Sequence, residues 1–340
     1  MLLKKSQSLS ANTRAFHKKI QSFSQRYGLW KRNSHILIGV SGGPDSMTLL
    51  HFFLFLREKY NLTLSVAHVN YALRGEESDQ DEQLVRTYCK ENNLSFFIHR
   101  PQCTRRDENF LRDIRFAFFS SLYKNKKETL LALAHHQDDQ VETILHRLLR
   151  GSGSRGLSGM LPKNNHIIRP FLSTPKKDLL DYCQDNAIPY RIDKTNKELF
   201  YTRNKIRNAI LPFLEEYNPN IRTTLTRTAL LSAQDEEYME EELLRQFQPH
   251  FSQDGVSFSL SQWDILPKAL KTRALRQCIT LVSEKKLLKN ISFSLIEEIW
   301  NALEHKKSKS QEIRFLDLIL KRSNDTVHLF SGKKITKKVD

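Results

Sequence analysis

In the segment Ser41-Gly42-Gly43-Pro44-Asp45-Ser46, two adjacent glycines permit a sharp turn that points successive backbone N–H groups at an anion. Ser41 and Ser46 add hydroxyls able to donate to phosphate oxygens, and a helix starting there adds its partial positive charge. The segment has neither the Gly-Lys-Ser/Thr ending of a Walker loop nor the Gly-x-Gly-x-x-Gly of a dinucleotide fold. Asp45 beside a phosphate calls for a cation, either Mg²⁺ or a charged substrate. Further on, Asp139 and Glu142 are three apart and Asp138 and Glu142 four apart, so on a helix either pair shares a face. Spacing does not choose between the aspartates. Such carboxylates suit a lysine ammonium or Mg²⁺, or simply complement the helix dipole. His135 and His136 precede them and could bind phosphate or pack at a strand end; they lack the third partner of a metal site. Arg203 and Arg207, four apart on one helix face, and Arg112 are candidates for the charge of a triphosphate.

These residues need elements to carry them. The apolar run 36–40 reads as a strand ending at the glycine turn. A helix over 48–60 follows, then a strand over 62–69, a helix over 78–92, a strand over 95–98, a helix over 109–123, a strand over 130–134 and a helix over 138–150. Strands alternating with helices predict an α/β fold whose parallel sheet is covered on both faces. Such sheets bind ligands at the C-terminal ends of their strands, so the polar clusters after Val40, Val69 and Ala134 should converge. Beyond the polar loop 151–156 a short strand over 167–171, a helix over 175–186 and a helix over 201–214 broken at Pro212 are expected. Asn218-Pro219-Asn220 is a turn signal. Helices over 221–247, 266–283 and 293–305 follow, and 313–330 alternates as a β-hairpin does. The expected organisation is a basic N-terminal helical segment over 1–32 (helix 12–27), a catalytic domain over 33–217 and a smaller, mainly helical domain over 218–340.

The 340 residues are 39% hydrophobic and 27% charged, enough for a core and unlike a disordered chain. The net charge of +16 points to a polyanionic partner, nucleic acid ahead of an anionic membrane. The first 35 residues hold eight Lys/Arg and no acid, and Lys306, Lys307, Lys309, Lys333, Lys334, Lys337 and Lys338 add basic clusters able to contact phosphates. The acidic run from Asp235 to Glu242 reads as a solvated helix face. The longest apolar run, 49–56, is too short to span a bilayer, and the N-terminus has no secretory h-region, so no membrane association and a cytoplasmic location are expected. Cys89, Cys103, Cys183 and Cys278 are far apart, with no C-x-x-C pair.

The loop 41–46 resembles the signature of the PP-loop (N-type ATP pyrophosphatase) family, whose fold is the adenine nucleotide alpha hydrolase-like sheet. The segments 67–78 (Ala-His-Val-Asn-Tyr-Ala-Leu-Arg-Gly-Glu-Glu-Ser) and 133–143 (Leu-Ala-His-His-Gln-Asp-Asp-Gln-Val-Glu-Thr) are similar to those of the tRNA(Ile)-lysidine synthase family. So, in order, are Arg150 to Leu157, Arg169 to Leu172, Asp193 with Thr195 and Asn196, Arg203 with Asn204, Ile206 with Arg207, and Ile210 to Pro212. The resemblance covers roughly residues 33–220. It departs at Tyr71, where the family has His, and in looser flanks around Arg112. The resemblance implies ATP as co-substrate with Mg²⁺, at Ser41, Gly42, Gly43, Pro44, Asp45 and Ser46. It implies lysine held by Asp139 and Glu142, and catalytic roles for Asp45, Arg112, Asp139, Glu142, Arg203 and Arg207. Asp45 is the candidate Mg²⁺ contact. The implied partners are L-lysine and tRNA(Ile) with a CAU anticodon, whose wobble cytidine is adenylated and then takes lysine. The helical part after Asn220 would grip the tRNA; longer members carry a further C-terminal domain that this length cannot hold in full. A monomer and a homodimer are both open. The alternatives are another PP-loop tRNA-modifying enzyme such as a 2-thiocytidine synthase, which would need reactive or cluster-binding cysteines, usually in C-x-x-C pairs that this chain lacks, and a basic RNA-binding protein with a vestigial loop.

Overall fold

The computed structural model describes residues 10–105, 107–124, 128–192, 202–252, 255–282, 291–304, 310–315 and 317–332. Asp193, Thr195, Asn196, Tyr201 and the lysines at 306, 307, 309, 333, 334, 337 and 338 lie outside them, as does the basic stretch before Ser10. The chain divides into two compact units, Met1–Ala233 and Gln234–Asp340.

The first unit is built on a six-stranded sheet. Its strands are β1 (His35–Gly39), β2 (Thr63–Val69), β3 (Ser95–His99), β4 (Thr129–Ala132), β5 (Lys163–Asn164) and β6 (Ile167–Ile168), in the order β3-β2-β1-β4-β6-β5. All pairings are parallel except that of the edge strand β5 with β6. Between them run α2 (Pro44–Tyr60), α3 (Glu76–Glu91), α4 (Glu108–Tyr123), α5 (Gln137–Leu149), the short α6 (Ser154–Leu157) and α7 (Lys176–Asp185). Successive β1 residues explain why its run is apolar throughout. Ile36 and Ile38 join the core on one face, with α2 and α7, while Leu37 joins Phe119 of α4 on the other. Helix α2 is buried nearly all round, as its Leu49-to-Leu56 run requires. Two of its buried polar groups bond to α7: Thr48 donates to the Leu179 carbonyl, and His51 Nδ1 is 2.9 Å from the Tyr182 hydroxyl.

The N-terminal helix α1 (Ala11–Arg26) is capped by Ser10, whose hydroxyl accepts from the Thr13 N–H. Phe16 and Ile20 are buried in the same core, Phe16 stacking on Tyr182 at 4.4 Å. At the other end of the unit come α8 (Thr202–Lys205), a π-helical turn (Ile206–Ile210) and α9 (Leu211–Tyr217). Pro212 does not break this helix. The π turn widens ahead of it, the Leu211 N–H reaching back to the Ile206 carbonyl, and Pro212 falls in the first turn of α9, where no N–H is required. Helix α10 (Ile221–Gln246) spans the division between the units. Ile221 and Leu225 pack with Val141 and Leu145 of α5, which is why the first unit extends past the Asn218 turn.

The second unit combines α11 (Leu260–Ile265), α12 (Lys268–Val282) and α13 (Phe293–Glu304) with a five-stranded antiparallel sheet. Its strands are β7 (His250–Ser252), β8 (Gly255–Ser259), β9 (Ser310–Phe315), β10 (Leu318–Ser323) and β11 (Thr326–Ser331), in the order β7-β8-β11-β10-β9. The alternating tail is thus three strands of a meander, not one hairpin. Trp263 is fully buried there, and the Lys271 ammonium lies 5.4 Å from its ring centre, within 3.2 Å of Glu304.

Candidate active site

Three strand ends meet in the first unit. After β1, Gly42 turns the chain at φ +92°, a conformation an L side chain rarely adopts. A Cβ there would sit 3.4 Å from the backbone of Asp81. Asp81 in turn accepts from Arg74 Nη2 at 2.6 Å and Arg191 Nε at 2.8 Å, and the Arg191 N–H donates to the Gly42 carbonyl, so the loop is clasped from two sides. Ser41 and Ser46 are not free donors in this state. The Ser46 hydroxyl donates to the Gly43 carbonyl at 3.0 Å and accepts from the Ser41 N–H at 3.1 Å, and the two hydroxyls are 3.1 Å apart. They shape the loop from within. Gly43 caps α2 and Pro44 opens it, so the loop ends on a helix N-terminus.

Asp45, in the first turn of α2, faces the start of α5. Its Oδ2 is 3.6 Å from His136 Nε2, while its Oδ1 is buried without a hydrogen-bond partner. The Asp139 carboxylate accepts from the His136 N–H at 3.0 Å and lies 3.4 Å from the same Nε2. His136 is 3% exposed, and burial disfavours its charge, but Asp45 and Asp139 outweigh burial and raise its pKa. The ambiguity of spacing is resolved by a distant residue. Asp138 pairs with Arg222 at 2.9 Å, whereas Asp139 and Glu142 line a cleft of about 440 Å³. Glu142 is 2.5 Å from Arg207 Nε. Burial raises the Glu142 carboxyl above its usual range against the pull of Arg207. Burial likewise opposes the Arg207 charge, which the Glu142 bond more than restores.

The same cleft also carries cations in its lining. Arg112, Arg115 and Arg203 line the cleft with Tyr71, Glu108 and His135. Arg203 is held by Glu108 at 2.5 Å, and Arg112 lies over the Phe116 ring at 5.3 Å. Burial, then the neighbouring Arg115 and Arg203, lower the Arg112 pKa, as expected of crowded cations facing a site for an anion. His135 carries a fixed proton. Arg169 Nε, which can only donate, is 3.2 Å from its Nδ1, so the ring is neutral with its hydrogen on Nε2. Burial, followed by Arg169, keeps His135 well below the ordinary imidazole range.

The structure gathers Asp139, Glu142, Arg112 and Arg203 about one crevice; Asp45 meets Asp139 through His136 and Arg207 pairs with Glu142, neither of them among the lining residues. Arg115 and Tyr71 were missed in the sequence. Arg115 had a signal, standing three residues after Arg112 on one helix. Among the described residues no group of three or more His, Cys, Asp or Glu is arranged to hold a metal by itself.

This sheet, with a glycine loop after β1 that ends on a helix N-terminus, defines an α/β domain of the kind that binds ligands at its strand ends. Residues 12–214 match the model of the PP-loop domain, and the chain belongs to that family. A "tRNA(Ile)-lysidine synthase" of Bacillus cereus is 33% identical over 298 residues, covering 84% of this chain and 63% of that protein. One from Clostridium perfringens is 36% identical over 278 residues, covering 79% of this chain and 59% of that protein. The chain therefore spans about three-fifths of the length of these relatives. Among solved structures, the U34-tRNA thiolase NcsA of Methanococcus maripaludis, with its [4Fe-4S] cluster, shares the fold. The TM-score is 0.55 at 17% identity, over 72% of this chain and 82% of that one. Among the described residues no helix is long and apolar enough to cross a membrane.

Proposed function

We propose that the protein is a tRNA(Ile)-lysidine synthase, ligating L-lysine to the wobble cytidine of a CAU anticodon with ATP split to AMP and pyrophosphate. The observation that carries this reading is one cleft lined together by the carboxylates of Asp139 and Glu142 and the guanidinium groups of Arg112, Arg115 and Arg203. The likeness to relatives of that name supports it. The cytosine O2 attacks the α-phosphorus and pyrophosphate leaves. The lysine ε-amine then attacks C2, the C2–O bond breaks and AMP leaves. Adenylation is needed because a ring carbonyl oxygen is a poor leaving group. The loop N–H groups and the α2 N-terminus receive phosphate, and the arginines carry the charge that develops on it. Asp45 and Asp139 hold the ammonium and accept the proton it must lose before attack. The orphaned Asp45 Oδ1 fits Mg²⁺ carried in by the triphosphate, which would supply most of the remaining oxygens; such an ion neutralises phosphate charge.

A sulfur-transfer reading is disfavoured by three of the four thiols, the half-buried Cys103 being the exception, and by the lack of any C-x-x-C pair. Cys89, Cys183 and Cys278 are buried, and burial pushes Cys89 and Cys278 up to about 12, far from reactive thiolates. The test is incubation of the protein with ATP, labelled lysine and an unmodified tRNA(Ile) transcript. Lysine-dependent label in RNA with matching pyrophosphate release is expected. Pyrophosphate release without lysine in the product, or no turnover, refutes the reading.

A further inference from the structure

Tyr71 sits in the loop after β2 and lines the cleft together with Arg112, Arg115, Asp139 and Glu142. Everything around it immobilises it. Its hydroxyl donates to the Leu111 carbonyl of α4 at 2.8 Å, so what the side chain has left to offer the cleft is its ring. The backbone on either side is fixed. Asn70, 3% exposed, accepts from the Ala72 N–H through its side-chain oxygen at 2.9 Å. The Asn70 amide donates to Asp79 at 2.9 Å and Glu82 at 3.0 Å. Ala72 is held at φ +53°, a left-handed conformation that a non-glycine residue keeps only when its surroundings enforce it.

The chemistry of the cleft says what such a ring would meet. A planar acceptor must present one atom to phosphorus at the arginines and then the adjacent carbon to an amine at the carboxylates. It must therefore lie within reach of Arg112 and Arg115 and of Asp139 and Glu142. Most of the lining side chains there are charged or imidazole; Tyr71 offers an uncharged aromatic ring. An unstacked pyrimidine recovers by stacking on an aromatic face what it loses on leaving its neighbours.

We propose that Tyr71 is a specificity-determining binding residue, the platform on which the acceptor pyrimidine base stacks in this cleft. This rests on the function proposed above. The test uses the full chain and an anticodon stem-loop carrying a fluorescent pyrrolocytosine at the wobble position, with Tyr71→Phe, Tyr71→His and Tyr71→Leu. Stacking quenches the probe. Wild type, Tyr71→Phe and Tyr71→His are expected to quench it. Tyr71→Leu is expected to lose the quench and to bind the RNA roughly 5- to 100-fold more weakly, the range spanned by one base–aromatic stack. Affinity for a fluorescent ATP analogue and the Tm, measured alongside, report folding. Equal quenching and affinity in Tyr71→Leu, or loss of both in Tyr71→Phe with unchanged Tm, overturns the inference. The quench does not depend on lysine transfer. A Tyr71-dependent quench without lysine incorporation would therefore strike the proposed reaction and leave the platform standing.

Discussion

Replacing Arg207 with Met should destabilise the first unit in a way that depends on pH. The Glu142 side chain is 4% exposed and that of Arg207 37%, their contact being 2.5 Å. Stripping the partner from a buried charge costs about 3–5 kcal/mol, but water reaches the guanidinium side of this pair, so about 2–3 kcal/mol is expected at neutral pH. In a unit of this size that lowers Tm by roughly 4–12 °C. The sign with pH follows from Glu142. Its folded pKa is raised, so the fold favours the neutral acid. That advantage is fully present below the unfolded pKa, about 4.3, and is lost as pH rises through the folded value. Without Arg207 the folded value climbs further. The Arg207→Met deficit should therefore be largest near neutrality and shrink towards about pH 4. Adding Glu142→Gln removes the orphaned charge, and the double variant should recover most of the loss. Melting curves by circular dichroism at several pH values, with limited proteolysis to identify the unit that melts, measure this. A deficit flat across the range, or a double variant no more stable than Arg207→Met, refutes the reasoning.

Asp139→Asn should lower kcat/KM for lysine about 100-fold or more, because it removes a charge facing the ammonium. Asp138→Asn, which loosens only the Arg222 contact, should cost at most about 1 kcal/mol and leave KM for lysine within about twofold; steady-state kinetics and melting separate the two. Gly42→Ala must hold a Cβ at φ +92° against Asp81 and should weaken ATP binding about tenfold or more, checked by titration with a fluorescent ATP analogue. Burial lowers His51 and His17 to about 4, His17 helped by His51. Their neutral forms stabilise the fold fully above the unfolded value near 6.5, and that stability is lost as pH falls through about 4. Tyr182→Phe, which deprives both rings of the hydroxyl they share, should cost about 1–3 kcal/mol near neutral pH, measured by Tm against pH.

Much of this architecture was legible because the sequence is locally consistent. The run ending at Val40 could only be a strand buried on both faces, and the Gly42-Gly43 pair could only be its turn. What was not legible depended on contacts between distant segments or on backbone groups. The π turn at Ile206 has no signature in side-chain spacing, so Pro212 read as a break. Ser46 carries the right hydroxyl for a phosphate, yet the folded loop turns that hydroxyl inward to the Gly43 carbonyl. Tyr71 looked like a lapse in the pattern until its hydroxyl met the carbonyl of Leu111, an acceptor that every residue possesses and no sequence advertises.

The two aspartates of α5 make the same point most sharply. Both stand in the first turn, both complement the helix dipole, and both share a face with Glu142. Their difference is imposed from outside the helix. Arg222 at the start of α10 takes Asp138. On the other side His136 gathers Asp139 and Asp45 about one nitrogen, two carboxylates from different helices converging where one Asp45 oxygen remains without a partner. Two carboxylates drawn to one imidazole nitrogen repel each other unless a positive charge joins them, and the raised His136 pKa reflects that demand. The pocket is thus electrostatically incomplete as it stands. In the reading proposed above a cation completes it, either the lysine ammonium between Asp139 and Asp45 or Mg²⁺ at the free Asp45 oxygen, and the amine becomes a nucleophile only once a carboxylate has taken its proton.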